Sequence, residues 1–167
     1  MKRTALLVVG LLFAGLTVVS AGEGTEAKWF DMENCAFCKN VTAEPGLLEN
    51  MKWKHYNITN GIVTVTTVNP EYKDAYLKAH KAMEEMGTKM MSGEVDPTTV
   101  TMCGHCQAYG GFMQKGVTFD YVQADVGDIV VMTSASPETA AEIQKFGARN
   151  EKETAKMKKE MKAKKAK

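Results

Sequence analysis

Two stretches of the chain carry apolar and β-branched side chains in the pattern of strands. Met51–Ile58 and Ile62–Val68 are rich in β-branched and aromatic residues. Asn60-Gly61 between them is a hairpin dipeptide, because glycine tolerates positive φ. The pattern returns at Val117–Gln123 and Asp128–Ser134, with Gly127 as the permissive residue of an Ala124–Gly127 turn. After each hairpin the period lengthens to that of a helix. Tyr72, Ala75, Tyr76, Ala79, Met83 and Met86 recur at three- and four-residue steps and predict one apolar helix face. Ala140, Ile143 and Phe146 do the same in the second half, before Gly147 weakens the pattern. Asn69-Pro70-Glu71 and Ser136-Pro137-Glu138 open these helices. Each offers a capping side chain, a proline at the first position and a carboxylate at the positive end of the dipole.

The halves match in more than periodicity. Cys35-Ala36-Phe37-Cys38 answers to Cys103-Gly104-His105-Cys106, and Asn69-Pro70-Glu71 to Ser136-Pro137-Glu138. The offset is 68 at the cysteines, 66 at the first strand and 67 at the Pro-Glu pair. The chain thus reads as a CxxC-β-β-α unit present twice, at 35–86 and 103–149, joined by a linker over 87–102. Neither unit alone buries much apolar surface. The expected fold is α+β: one domain with a small antiparallel or mixed sheet and both helices on one face.

The flanks differ from this body. Lys2 and Arg3 precede an apolar run, Ala5 to Val19, and the small residues Val19-Ser20-Ala21. Residues 1–21 are therefore expected to be a signal peptide cleaved after Ala21, followed by an N-terminal segment, 22–34. The mature protein is expected outside the cytoplasm, periplasmic or secreted. The formal net charge of +1 hides an uneven distribution. Residues 22–150 hold 11 Lys and Arg against 17 Asp and Glu, whereas the tail from Glu151 holds 8 Lys and 3 Glu. This tail, 150–167, is expected to be helical or disordered, solvated, and capable of weak attachment to an anionic membrane surface. With 44% hydrophobic and 25% charged residues, the chain is neither disordered, collagenous nor knottin-like. Its near-zero charge argues against nucleic-acid binding.

The chemistry lies in the cysteines. Four thiolates from two doublets are the ligand set of a tetrahedral metal site, and Cys35, Cys38, Cys103 and Cys106 are the candidate ligands. His105, between the second pair, is a further candidate. Soft sulfur ligands suit zinc or Cu(I). Met32, Met102 and Met113 are possible thioethers, each better explained as core filler. His55 and His80 read as surface or structural residues. Two other uses of the cysteines remain open. An exported chain permits disulfides, within or across the halves. Cys103-Gly104-His105-Cys106 also matches the motif of disulfide isomerases, with Cys103 as nucleophile and Cys106 as resolving thiol. No Ser-His-Asp arrangement, phosphate loop or carboxylate pair stands out, so this dithiol carries the only enzymatic reading. Asn40 and Asn57 lie in glycosylation sequons.

The doublet Cys35–Cys38, the hairpin at Asn60-Gly61 and the helix opening at Asn69-Pro70 together resemble the ββα metal-binding units of YHS and TRASH domains. The paired arrangement is similar to the NosL group of periplasmic copper-binding proteins. Those units usually place another cysteine near the helix start, where this chain has Val68-Asn69-Pro70 and Ala135-Ser136-Pro137. The resemblance implies extracytoplasmic binding of a heavy metal, with another metal-handling protein as a partner.

Overall fold

The computed structural model describes residues 27–165; the signal peptide expected at 1–21 lies outside them. Two short helices, α1 (Lys39–Thr42) and α2 (Leu47–Asn50), lead into the hairpin β1 (Met51–Ile58) and β2 (Gly61–Val68). A 3₁₀ turn, Pro70–Tyr72, precedes α3 (Lys73–Met91). After a second 3₁₀ turn, Pro97–Thr99, follow α4 (Gly104–Gln114), the hairpin β3 (Thr118–Ala124) and β4 (Gly127–Thr133), and α5 (Pro137–Lys165). The class is α+β, as the patterning predicts. No helix among the described residues is long and apolar enough to cross a membrane.

The four strands form one antiparallel sheet in the order β1-β2-β4-β3. Its register is symmetric. Trp53 lies opposite Thr66; a shift of 66 residues gives Phe119 opposite Met132. The β2–β4 pairing maps onto itself under that shift, with the pair Thr64–Val130 at its centre. The hairpin glycines sit at equivalent places in this joint. A Cβ on Gly61 would lie 1.8 Å from the Met132 carbonyl oxygen, and one on Gly127 would lie 2.0 Å from that of Thr66. Both glycines therefore serve close backbone approach as well as the turn.

One sheet face carries the helices, and two apolar clusters occupy opposite ends of the β2–β4 pair. Ile62 and Met132 pack with Trp29, Phe112, Val117, Ile143 and Phe146. Met51 and Val68 pack with Val41, Leu47, Leu48, Tyr76 and Ala79. Each fully buried Ile, Leu or Met contributes roughly 1.5–3 kcal/mol.

Several local expectations are refined. Asn69 makes no side-chain cap; its backbone carbonyl accepts from the Tyr72 N–H and closes the 3₁₀ turn instead. Ser136 does cap, its Oγ accepting from Thr139 N–H at 3.3 Å. Helix α3 runs past Gly87 to Met91, because a solvent-facing glycine costs a helix only about 1 kcal/mol. Helix α5 passes through Gly147, where α5 approaches the sheet: a Cβ there would meet His55 Cβ and Ile62 Cγ2 at 3.4 Å. It also runs across the expected domain edge at 149. Asn150 and Thr154 are buried, and Met157 and Met161 pack against the Met51–Val68 cluster. The first turns of the lysine-rich segment thus continue the apolar stripe into the core.

Candidate metal centre

The first doublet is built on a turn. The Asp31 carboxylate accepts from the backbone N–H groups of Glu33 and Asn34, and its carbonyl accepts from Cys35 N–H. Cys38 then stands at the start of α1. The Asn40 amide donates to the carbonyls of Ala36 and Phe37 at 3.0 Å, so the side chain of this sequon asparagine braces the turn. The second doublet opens α4, with Cys103 at its N-cap and Cys106 in its first turn. The free amides there have partners from far away. Gly104 N–H donates to Lys28 carbonyl and His105 N–H to Trp29 carbonyl. A bond from Ala36 N–H to Thr101 carbonyl, 2.9 Å, ties the two turns together.

The four sulfurs converge. Cys35 and Cys106 are 3.5 Å apart, Cys38 and Cys103 3.6 Å, and Cys38 and Cys106 3.7 Å. All four lie within 4.8 Å of one another. Each of these three contacts joins one doublet to the other, and all four residues are free thiols. Cys35, Cys38 and Cys103 are buried and Cys106 is half-buried. Met32 and Phe37 close over the cluster.

The electrostatics suit a bound cation. Hydrogen bonding with Cys103, then with Cys106 and Cys38, holds the Cys35 thiol far below the usual range. Cys106 draws Cys103 down to about 6. Contact with Cys103 first pushes Cys38 and Cys106 up. One thiolate is easily formed among sulfurs that donate to it, and the next is repelled by it. A positive ion at the centre removes that repulsion. The N-terminus of α4 favours negative sulfur in the same place.

His105 lies outside this group. Its ring stacks on Phe146 at 5.1 Å, and its Nδ1 is 3.0 Å from Asn150 Oδ1. That oxygen also accepts from Trp29 Nε1 at 2.8 Å, which fixes the amide's orientation. Asn150 Nδ2 is therefore the donor to His55 Nε2, at 3.2 Å. Two tautomers follow by donor matching. His105 carries its proton on Nδ1. His55 carries its own on Nδ1, which faces Glu151 Oε1 at 3.3 Å. His55 is thus a satisfied structural histidine. His80 lies elsewhere, against the rings of Tyr76 and Tyr121. Of the methionines considered, Met32 touches the sulfur cluster, whereas Met113 is exposed.

Burial pushes both His55 and His105 below the ordinary imidazole pKa. The unfolded chain binds their protons near pH 6.5 and the folded chain only at lower pH. Their neutral burial is thus fully compatible with folding above about pH 6.5, and stability falls as pH drops below it. Ring carbon shifts followed by NMR should show both residues still neutral at pH 6.5. A ring half-protonated there would show that burial does not govern it.

Sequence patterning did not single out Asn150 or Trp29. Asn150 lies four residues beyond Phe146 on the stripe of Ile143 and Phe146, a polar residue on an apolar face. Trp29 is an aromatic anchor within the N-terminal segment 22–34. In comparisons with family models, curated proteins and solved structures, none matches this chain.

Proposed function

We propose that this is an extracytoplasmic protein that binds one thiophilic metal ion between two duplicated CxxC-ββα units. Zinc is the first candidate and Cu(I) its competitor. The observation that carries the reading is the sulfur spacing. A tetrahedron with Zn–S bonds of about 2.3 Å has edges of about 3.8 Å. Three contacts between the doublets, at 3.5, 3.6 and 3.7 Å, approach that edge. A disulfide brings sulfurs to about 2.05 Å, and no pair is so close. A dithiol oxidoreductase needs a reachable nucleophile, whereas Cys103 is 2% exposed.

The symmetric strand register supports duplication, since two equivalent hairpins bring equivalent doublets to one place. Export rests on the leader-like segment at 1–21 and on the likeness to periplasmic copper-binding units. The half-buried Cys106 is the edge from which an ion would enter or leave.

Native mass spectrometry of the chain exported by its own leader tests both parts. The expected mass is that of residues 22–167 plus one zinc or copper ion, with all four thiols resistant to alkylation until a chelator is added. A metal-free chain whose four thiols are free, and which takes up neither Zn(II) nor Cu(I), overturns the metal reading. A mass retaining residues 1–21 overturns cleavage.

A further inference from the structure

A cavity of about 200 Å³ lies between the sheet and the sulfur cluster. It opens over the centre of the sheet, where Thr64 and Val130 line it, and the rings of Phe30, Trp53 and Phe146 form its walls. Cores normally close such spaces, since interiors pack like organic crystals. A volume of about 150 Å³ already accommodates a benzene ring, so this space suits a single six-membered ring.

Its polar valences are few and defined. His105 borders the cavity, and its Nδ1 proton is committed to Asn150. The tautomer leaves a lone pair on Nε2 with no hydrogen-bond partner among the described residues, and Nε2 is not fully enclosed by protein. Thr64 also lines the space, and its hydroxyl has no hydrogen-bond partner among the described residues. An apolar pocket with two such groups selects a ligand that is mostly ring and carries one donor.

We propose that this cavity is a binding site for a small single-ring aromatic molecule bearing a phenol-type hydroxyl, which donates to His105 Nε2 and accepts from Thr64. Aromatic walls supply apolar contact, and the buried hydroxyl is recognised because both of its hydrogen-bonding roles are met. A ring of the same size without a donor leaves His105 unpaired and binds less well. The cavity abuts the sulfur cluster, since Cys38 and Met32 border both.

Calorimetric titration of the zinc-loaded chain with phenol and with toluene tests this. Phenol is expected to saturate one site with a Kd at least tenfold below that of toluene. Thr64→Val, nearly isosteric, should weaken phenol three- to tenfold and leave toluene unchanged. Val130→Phe, which fills the cavity, should remove both. Non-saturable phenol, phenol no tighter than toluene, or phenol affinity unchanged in Thr64→Val overturns the proposal. The last result decides even where Val130→Phe fails to fold. Zinc content measured in each sample separates loss of the metal from loss of the ring ligand.

Discussion

Cys35→Ser should weaken zinc binding more than a hundredfold, over about 2.7 kcal/mol, and Cys103→Ser should do so to a similar degree. Serine keeps the shape and polarity of the side chain but replaces a soft thiolate with a hard hydroxyl that stays protonated. Each is the first cysteine of its doublet, and each makes a sulfur contact with the other doublet, at 3.5 and 3.6 Å. Losing either leaves three sulfurs and a broken shell. The double variant should therefore cost much less than twice the single one, because groups in one cluster are not additive. On the proposed function, folding is linked to metal binding at this site. At free zinc a thousandfold above Kd, binding adds about 4.1 kcal/mol to stability. For a domain of this size, chelation should lower Tm by roughly 10 °C or more. Calorimetry of the wild-type chain with and without chelator, beside both serine variants, checks the set. Equal melting of zinc-loaded and chelated wild type would falsify a stabilising role for the metal.

Asn150→Leu should destabilise the fold by about 3–5 kcal/mol. Asn150 is 1% exposed and serves three buried groups at once: Trp29 Nε1, His105 Nδ1 and His55 Nε2. Leucine keeps the branched skeleton of asparagine, is bulkier, and satisfies none of them. Each orphaned group costs about 1–3 kcal/mol, and an apolar replacement at the hub leaves all three partners in place. Asn150→Asp separates packing from hydrogen bonding. Its two oxygens still accept from Trp29 and His105, but nothing remains to donate to His55 Nε2. Protonation of His55 restores that contact, with the imidazolium as donor. The His55 pKa should thus rise in this variant, so that the variant gains stability relative to wild type as pH falls through the new value. Urea midpoints at pH 8 and pH 6 should show the aspartate variant closing part of its gap to wild type. A leucine variant as stable as wild type would remove the network from the account of this core.

Much of the local structure was legible. Both hairpins, the two Pro-led helices and the α+β class follow from periodicity and from proline and glycine chemistry. The limits of that reading also have physical causes. Alternation shows that a strand has two different faces, and it does not show which hairpin lies beside which. Gly61 and Gly127 read as turn residues; their second role, allowing β2 and β4 backbones to approach, exists only once those strands pair. In the sequence of α5, Gly147 weakens the apolar stripe, and the following run of lysines resembles a fraying end. In the fold, the glycine marks where the helix comes closest to the sheet.

The candidate site divides in the same way. The pattern of four cysteines, paired at three-residue spacing and once per half, belongs to the sequence alone, because a tight turn places two sulfurs together wherever it occurs. Whether the doublets meet depends on contacts spanning 65 to 71 residues. The tertiary structure decides this through the β2–β4 joint and the bond between Ala36 and Thr101. It likewise gives His105 to Asn150 rather than to the sulfur cluster. A residue's neighbours within one turn follow from local spacing, whereas partners across the sheet follow from the register, which only the packed core selects.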